Sequence, residues 1–368
     1  MLEKKLKILT VVYDNIYSDP RASKFRETLI KKHDVYTLSI GDKEGASYNQ
    51  IKEILLKGHN KIFELFYFWY CVINYVGKIK PDVILSHNYF TALPCWIASK
   101  YFGIPLLYDA YEFYVPEKGK KFPKRNFFFF LNEKFVSRRA ELVFAANPER
   151  ARLMKSAFGL RKRPIAILNI PIYQNPGIVK ASIDIRNDEV KLVYEGFIVF
   201  SRFVDLLINS LEYLPENFKL IIIGDGPDVV KMKDLINSKS YKKRIDYMGR
   251  IDGRLIIPTL SDCHIGFVGY PFTNLNNKYC SPNKIYEYPA AGIPFVSSSQ
   301  TSIWEITKKY HICNFYNYKE GAKGVANAIM DVAVNYTNYV IGIESFNANN
   351  TWSSEANKII ESLQCIKL

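Results

Sequence analysis

The chain has 368 residues, 48% of them hydrophobic, and a formal net charge of +14 at pH 7. This length favours two domains with sizeable cores over one. The charge implies anionic partners such as acidic lipid or phosphorylated small molecules, and nucleic acid is not expected because no zinc-finger or RNP-type signature appears. The six cysteines form no CxxC pair and the start lacks a signal peptide, which together predict a cytoplasmic protein with reduced thiols.

Short apolar runs alternate with helical stretches through the first half. The strand-like runs are "LKILTVVYD", "DVYTLSIG", "PDVILSHN", "IPLLYDA" and "ELVFAAN", and helical stretches such as "RASKFRETLIKKH" and "LPCWIASKYFG" separate them. This alternation predicts βαβ units and a mostly parallel sheet.

The same rhythm restarts in the second half, after a predicted hinge in "LNIPIYQNPG" (168–177). Its strand-like runs are "VKLVYEGFI", "FKLIIIGDGP", "RIDYMGRI", "CHIGFVGY" and "IPFVSSS". We therefore predict an α/β chain of two Rossmann-like domains facing across a deep cleft. The first comprises residues 1–172 and a C-terminal helix at about 345–368, and the second comprises residues 173–344.

Several strand ends of the second half carry residues suited to an anionic ligand. "YEGFIVFSR" places Gly196 before Arg202, "IIIGDGP" contains Gly224, and "YMGRI" places Gly249 beside Arg250. Glycine lets the backbone approach a ligand closely, and arginine suits phosphate through its bidentate fork. One such turn is a weak signal, but several at one sheet edge predict a phosphate-binding site.

The stretch "SPNKIYEYPAAGIPFV" (281–296) predicts a short helix followed by a buried strand. Ser281 suits the N-cap, Pro282 suits the first helical position, and Gly292 suits the residue just past the end. The unpaired N–H groups at the start would attract an anion, and Glu287 could accept hydroxyl hydrogens from the sugar carrying it. A plain helix-to-strand joint with a solvated glutamate fits this stretch equally well.

The order "YEG…R…DLLI…IIGDGP…MGRI…SPNKIYEYPAAGIPFV" resembles the donor-binding half of the retaining GT-B glycosyltransferases, especially family 4. "YSDPRASKFRETL", "PDVILSHNYFTALPCWIASKYFGIPLLYDAYEFY" and "AELVFAANPERARLMKSAFG" resemble the acceptor half of one bacterial branch of that family. The likeness covers roughly residues 5 to 315. It implies transfer of a sugar from a nucleotide-diphosphate sugar to a glycan or lipid-linked acceptor with retention of configuration, as in bacterial capsule or O-antigen synthesis. It implies no metal and no other cofactor.

The resemblance also implies roles for individual residues. Glu287 would bind the ribose hydroxyls, the N–H groups of Asn283 and Lys284 would hold the distal phosphate and sugar, and Arg202 would neutralise the diphosphate. The predicted donor-binding residues are Gly196, Gly224, Gly249, Arg250, Ser281, Pro282, Asn283, Lys284 and Glu287. The predicted catalytic residues are Arg202, Lys284 and His87. The predicted acceptor-side residues are Asp19, Arg21, Tyr111 and Glu112.

Three positions depart from the family pattern. Tyr279 stands where the first of two glutamates is frequent, and Phe197 replaces a frequent arginine. Tyr111 stands where the branch usually has histidine. We hypothesise that Lys284 replaces the cation missing at Phe197.

Structural explanations remain open for the acceptor-side residues. His87 could be a hydrogen-bonded residue at a strand end, and Asp109 and Glu112 could cap the following helix. Asp19 and Arg21 could pair with each other in a loop. Two other functions also remain open. A nucleotide-sugar epimerase would consume donor without acceptor, and a non-catalytic partner would bind donor without turnover.

Two aromatic and basic stretches, residues 61–80 and 120–139, stand out in the first half. The first is interrupted by Glu64 and Asn74, so it is too short to span a membrane. We interpret it as a helix that covers the sheet in an ordinary core.

The second stretch is predicted to be a helix with one buried face. At about 100° per residue, one arc collects the expected core residues Phe127, Phe128, Leu131 and Phe135. Phe129 and Val136 fall nearly opposite, which predicts that Phe129 faces outward beside Lys124 and Arg125. These three residues are the predicted contact with an anionic membrane, which would place the protein peripherally on the inner face of the cell membrane. A sheet-covering helix of an ordinary core fits this stretch equally well.

Overall fold

The computed structural model describes residues 5–41, 47–48, 50–56, 61–117, 119–172 and 182–366. The chain divides into two compact units. Unit 1 is Met1–Asn169 with Ser353–Leu368, and unit 2 is Ile170–Trp352. Residues 173–177 of the predicted hinge lie outside the described residues.

Unit 1 contains one sheet with helices as its crossover connections. Its strands are β1 (Lys7–Val12), β2 (Asp34–Ile40), β3 (Ser47–Tyr48), β4 (Ile51–Ile54), β5 (Val83–His87), β6 (Leu106–Ala110), β7 (Leu142–Ala145) and β8 (Ile165–Ala166). Its first five helices are α1 (Pro20–Leu29), α2 (Lys61–Ile79), α3 (Tyr89–Phe102), α4 (Lys124–Ser137) and α5 (Pro148–Phe158). The strand order is β3-β4-β2-β1-β5-β6-β7-β8, and only the β3–β4 pair among the described strands is antiparallel. Every residue of β5 and β6 is buried, as expected for parallel strands covered on both faces.

Unit 2 repeats this architecture with a smaller sheet. Its strands are β9 (Val190–Glu195), β10 (Phe218–Ile223), β11 (Ile245–Gly249), β12 (Ile265–Val268), β13 (Phe295–Ser297) and β14 (Cys313–Phe315). Its helices are α6 (Val204–Ser210), α7 (Val229–Asn237), α8 (Ile256–Ser261), α9 (Leu275–Lys278), α10 (Lys284–Ala290), α11 (Thr301–Thr307), α12 (Gly321–Val334) and α13 (Tyr336–Asn349). The last helix, α14 (Trp352–Gln364), falls almost wholly in unit 1. The prediction of two Rossmann-like α/β domains is confirmed.

The strand order of unit 2 is β11-β10-β9-β12-β13-β14, and all its described pairs are parallel. The order reverses direction between β9 and β12, and in unit 1 it reverses between β1 and β5. In open α/β sheets, ligands bind outside the carboxyl ends of the strands at such a switch point. The residues that follow β9 and β12 are therefore the first to consider as a site.

Helix α10 begins later than the sequence predicts. Its N-cap is Asn283, whose side chain makes no capping hydrogen bond to the helix. Ser281 is not the cap, because its Oγ lies 3.3 Å from the hydroxyl of Tyr286 instead. Gly292 does follow the helix with a positive φ of 80°, as expected for a residue just past a helix end.

Helix α4 presents the opposite face from the one predicted. Phe129 and Val136 are buried, whereas Phe127, Phe128 and Leu131 are about half exposed. The ring of Phe129 lies 4.3 Å from that of Tyr89, between centroids, on α3. The prediction that Phe129 faces a membrane is therefore wrong. Four consecutive phenylalanines place apolar side chains all round the helix, so periodicity could not fix the buried face.

Helix α2 is only partly the core helix that the sequence suggested. Phe68, Val72, Tyr75 and Val76 are buried, but several large apolar side chains on its other face are exposed. Within the described residues, no helix is both long enough and apolar enough to cross a bilayer.

Candidate functional site

The loops that follow β9 and β10 meet through their backbones. Gly196 has φ 118°, and its N–H donates to the carbonyl of Ile223 at 2.9 Å. Gly224 has φ 134°, and a Cβ there would lie 1.9 Å from the carbonyl oxygen of Gly196. The close approach of the Gly196 backbone therefore requires glycine at position 224. The predicted donor-binding role of Gly224 is not needed to explain why a glycine is there.

Lys284 is a buried cation at the start of α10. Its side chain fills the space beside Gly196, because a Cβ on Gly196 would lie 3.0 Å from Cε and 3.3 Å from Nζ of the lysine. Nζ also lies 4.0 Å from the ring centroid of Tyr194. In the described part of the chain, its ammonium makes no hydrogen bond or ion pair.

The electrostatic surroundings of Lys284 lower its pKa to about 8. Burial is the largest cause, since it disfavours the charged form, and the positive charge of Arg202 acts in the same direction. The carboxylates of Glu195 and Glu287 oppose this change but do not outweigh it. Arg202, Glu195 and Glu287 therefore all act on Lys284 at one edge of unit 2.

Arg202 ends a short 3-10 turn after β9. Its guanidinium carbon lies 5.7 Å from the ring centroid of Phe197 and 5.0 Å from that of Tyr270. Phe197 follows β9 and Tyr270 follows β12, so Arg202 lies at the switch point of the sheet. Among the described residues, no carboxylate forms a salt bridge with Arg202.

The structure brings together some of the predicted donor-binding residues. Gly196, Arg202, Lys284 and Glu287 share one neighbourhood, and Ser281, Pro282 and Asn283 lead into α10. Gly249 connects to this group through its carbonyl, which accepts from the N–H of Gly224 at 2.8 Å. Arg250 follows β11 and is exposed, and among the described residues it has no hydrogen bond, ion pair or ring contact with Lys284 or Arg202.

Sequence reasoning missed three residues of this neighbourhood. Tyr194 packs under Lys284, Tyr270 packs on Arg202, and Glu195 influences the pKa of Lys284. Two of them stand directly before Gly196 in the "YEG" segment at the end of β9. Their position at a strand end next to a glycine was the available signal.

Three residues of unit 1, Arg21, Asp109 and His87, form a buried network at the ends of β5 and β6. Nε and Nη2 of Arg21 donate to the carboxylate of Asp109 at 2.9 and 2.7 Å, and Nη1 donates to the carbonyl of Ile167 at 2.6 Å. Burial alone would raise the pKa of Asp109, but the charge of Arg21 and the hydrogen bonds from His87 and Arg21 hold it below its usual range. The arginine and the aspartate therefore neutralise each other inside the unit.

His87 completes this network. Its Nδ1 lies 3.0 Å from Oδ2 of Asp109, and Nε2 is buried with no hydrogen-bond partner in the described part of the chain. The side chain has no exposed surface. This arrangement favours a hydrogen-bonded strand-end residue over the predicted catalytic role.

Two structural expectations for unit 1 are wrong. Asp19 does not pair with Arg21, because it caps α1 and accepts from the N–H groups of Arg21 and Ala22 at 3.0 and 2.9 Å. Asp109 is not a helix cap, because its carboxylate is hydrogen-bonded to Arg21 and His87. Tyr111 lies beside the network, with its ring centroid 5.7 Å from the guanidinium carbon of Arg21. Glu112 is half-buried next to it.

The described residues contain no group of three or more His, Cys, Asp or Glu side chains placed to hold a metal ion. The group of residues around Gly196 in unit 2 consists of two cations, two carboxylates, aromatic rings and the glycine itself. Such a set can bind an anion that also carries hydroxyl groups.

Residues 64–170 match the family described as a glycosyl transferase 4-like domain. No curated protein matches the sequence significantly. The chain is similar in structure to Anabaena HepE in complex with UDP-glucose, with a TM-score of 0.76, 16% identity, and coverage of 98% of this chain and 100% of that one. It is also similar to sucrose-phosphate synthase from Thermosynechococcus elongatus, with a TM-score of 0.72, 16% identity and coverage of 97% and 98%.

A third similar structure belongs to a proposed UDP-N-acetylglucosamine 2-epimerase from Listeria monocytogenes, with a TM-score of 0.66, 12% identity and coverage of 98% and 96%. At these identities the likeness shows the fold alone. The fold is that of the GT-B class, as the sequence resemblance implied.

Proposed function

We propose that the protein is a glycosyltransferase that transfers a sugar from a nucleotide-diphosphate sugar to a glycan or lipid-linked acceptor. One observation carries the proposal. Lys284 is buried and Arg202 is half-buried at the switch point of unit 2, and no salt bridge to either is present among the described residues. A buried cation without a partner is unfavourable unless a ligand supplies the opposite charge.

A diphosphate leaving group suits these two cations. Negative charge develops on the diphosphate as the bond to the sugar breaks, so fixed positive charge there lowers the barrier. Arg202 offers a planar fork of N–H donors, and Lys284 offers a compact point charge. Lys284 stands beside Gly196, directly before Phe197, and this placement supports its substitution for the cation missing there.

The remaining parts of the site fit the rest of the donor. Glu287 is on the same helix as Lys284 and close enough to influence its pKa, so it would accept hydrogen bonds from the ribose hydroxyls. HepE binds UDP and UDP-glucose, which makes a uridine nucleotide the first donor to test.

Finer features of the reaction follow from the same site and from the sequence resemblance. We propose retention of configuration without a metal, as the sequence resemblance implies. The departing phosphate would receive the acceptor proton, because His87 has no exposed surface from which to act as a base. The acceptor half is matched to a glycosyl transferase 4-like domain. We propose a role in bacterial surface polysaccharide synthesis at the cytoplasmic face of the membrane, as the sequence resemblance implies.

The epimerase alternative is favoured by the similarity to the Listeria protein. It predicts that the nucleotide sugar is consumed in the absence of any acceptor. The transferase predicts that turnover requires an acceptor, so an assay of donor consumption with and without a lipid-linked glycan separates the two.

The first experiment is thermal denaturation with UDP, GDP and their common sugar conjugates. A nucleotide present at about 100 times its Kd stabilises the native state by about 2.7 kcal/mol, which is readily detected. We expect a nucleotide-specific increase in Tm that is reduced in Glu287→Ala. The matched control is Glu344→Ala, which removes an exposed glutamate of α13 and should leave the increase unchanged. An absence of any nucleotide effect would overturn the proposed donor site.

A further inference from the structure

The N-terminal half of α2 exposes an unusual run of large side chains. We call these residues the α2 aromatic face: Ile62, Phe63, Phe66, Tyr67 and Tyr70. Phe63, Phe66 and Tyr70 are 74%, 57% and 65% exposed. At about 100° per residue the five lie within one arc of the helix, so they form a continuous stripe.

The opposite side of α2 accounts for the packing of the helix. Phe68 and Val72 are fully buried, and Tyr75 and Val76 are buried beside them. A surface helix normally presents charged and polar residues on its outer face. Here the outer arc has no charged side chain, and a contiguous exposed apolar patch marks an interaction site.

The charged residues of the stretches 61–80 and 120–139, which include α2 and α4, are mostly basic. Helix α3 packs against α2 and α4, with the ring of Phe102 near Gly77 of α2 and the ring of Trp96 at 4.6 Å, between centroids, from that of Phe135 on α4. Lys124 and Arg125 are exposed on α4 next to exposed phenylalanines. The only acidic residues in the stretches 61–80 and 120–139 are Glu64 and Glu133.

Glu133 adds little negative charge to this surface. It is fully buried, and burial raises its pKa to about 8 even though the hydroxyl of Tyr108 donates to its carboxyl at 2.7 Å. Its carboxyl is therefore mostly neutral at pH 7. The helices α2 to α4 thus combine exposed aromatic rings with a large excess of positive charge.

The α2 aromatic face lies at the edge of the unit 1 sheet formed by the carboxyl ends of its parallel strands. Helix α2 connects β4 to β5, and α4 connects β6 to β7, with all four strands parallel in direction. Crossover helices run back against their strands, so their first turns lie at the carboxyl edge of the sheet. The α2 aromatic face and the exposed phenylalanines of α4 therefore lie at the same edge as Asp109 and His87.

We propose that the α2 aromatic face is a docking surface for an anionic lipid bilayer. Aromatic side chains insert at the level of the lipid headgroups, and exposed basic residues such as Lys124 and Arg125 on α4 are attracted to the negative surface. Charge complementarity favours this occupant over a second copy of the chain, since a symmetric pairing of this surface would bring like charges together. The proposal extends the proposed function by placing the carboxyl edge of unit 1 against the membrane, where a lipid-linked acceptor resides.

The test is co-sedimentation of the full chain with vesicles of phosphatidylcholine containing phosphatidylglycerol, and with vesicles of phosphatidylcholine alone. We expect binding to the anionic vesicles only, and a loss of about tenfold or more in the variant Phe63→Ser/Phe66→Ser/Tyr70→Ser. The variant Lys124→Gln/Arg125→Gln should lose about fivefold per charge. A matched control replaces equally exposed apolar residues of unit 2, Tyr213→Ser/Val230→Ser/Ile341→Ser, and should bind as the wild type does.

Two further measurements keep the result interpretable. The Tm and the stabilisation by UDP should be unchanged in the α2 variant, because its residues are exposed and outside unit 2. The proposed donor site and the proposed docking surface can therefore fail separately. Equal binding of the α2 variant and the wild type would overturn the docking proposal. So would an absence of binding to anionic vesicles, or a concentration-dependent dimer in analytical ultracentrifugation that the α2 substitutions abolish without any vesicle binding.

Discussion

Units 1 and 2 each bury a cation near the ends of their strands but differ in what surrounds its charge. In unit 1, Arg21 donates to both oxygens of Asp109, and His87 contacts the same carboxylate. In unit 2, Lys284 lies against the ring of Tyr194, and its ammonium has no ionic partner in the described part of the chain. Both pKa values are lowered, with opposite meanings. A lowered pKa shows that the surroundings favour the charged form of Asp109, whereas for Lys284 it shows that they disfavour the charged form.

We propose that this difference separates a structural role for Arg21 from a ligand-binding role for Lys284. A network that neutralises itself contributes to stability and leaves little charge for a ligand. A buried charge without a partner destabilises the unliganded folded protein, and binding of an anion stabilises that charge. Shifted pKa values occur both in structural ion pairs and in binding sites. The presence or absence of an ionic partner in the protein therefore decides which of the two roles we propose for each cation.

The largest expected effect is on the stability of unit 1. In Asp109→Ala, Arg21 remains buried without its carboxylate, and we expect a loss of about 3–5 kcal/mol in the free energy of unfolding. Urea unfolding combined with hydrogen exchange in β6 measures this loss in unit 1. The control is Asp34→Ala, which removes an exposed pair with Lys5 and should cost less than about 1 kcal/mol. A loss as small as that of the control would mean that the network is not what stabilises Arg21.

The corresponding change in unit 2 should affect binding and leave stability intact. In Lys284→Met we expect a loss of about 10–100-fold in affinity for UDP, as for a hydrogen bond to a charged group. The free protein should be as stable as the wild type or more stable, because the buried ammonium is replaced by an apolar chain of similar length. Isothermal titration and urea unfolding of the same variant measure both quantities.

Lys278→Met is the matched control, since it replaces an exposed lysine of α9. It should change neither affinity nor stability. If Lys284→Met bound UDP normally, the two units would no longer differ in the way described, and the hypothesis that Lys284 compensates for Phe197 would be wrong.

A smaller effect is expected from pH. The pKa of Lys284 is lowered from 10.5 to about 8, so the free protein loses this positive charge as the pH rises from 7 to 9.5. Phosphate is already about 90% ionised at pH 7, since its second pKa is about 6, so its own titration contributes little in this range. We therefore expect affinity for UDP to fall several-fold between these pH values in the wild type, and to stay nearly constant in Lys284→Met.

The stability of the free protein should change in the opposite direction. Between pH 8 and pH 10.5 the unfolded lysine holds a proton that the folded one has released, so this group makes the folded state more stable as the pH rises. Wild-type affinity that increased with pH would contradict the assigned role of Lys284.

Much of the fold was predictable because its signals are local. Buried parallel strands read as continuous apolar runs, as in "VILSH" and "LLYDA", and the helices between them imply crossover connections. The outer and inner faces of α4 were not predictable, because Phe127, Phe128, Phe129 and Phe130 point in all directions around one helix. Packing of Phe129 against Tyr89 decided the face, and that contact joins residues 40 positions apart.

The candidate site was predictable where a glycine or a helix start marks it and not where distant residues meet. Gly196, Arg202 and Lys284 follow strand ends or begin a helix, and they were found. Arg21 and Asp109 are separated by 88 positions, so the sequence offered only nearer partners for each. The sheet makes this pairing possible, because it contains both β6, which carries Asp109, and β1, which precedes the helix that carries Arg21.

The contact between α14 and the body of unit 1 has a consequence for biosynthesis. A carboxyl oxygen of Glu355 accepts from the N–H of Leu168 at 3.0 Å, and Ile359 and Leu363 of the same helix are buried. A ribosome makes all of unit 2 between these two segments, so unit 2 can finish folding while unit 1 still lacks one of its helices. Nascent unit 1 therefore lacks the contacts made by α14 until residues 353–366 leave the exit tunnel.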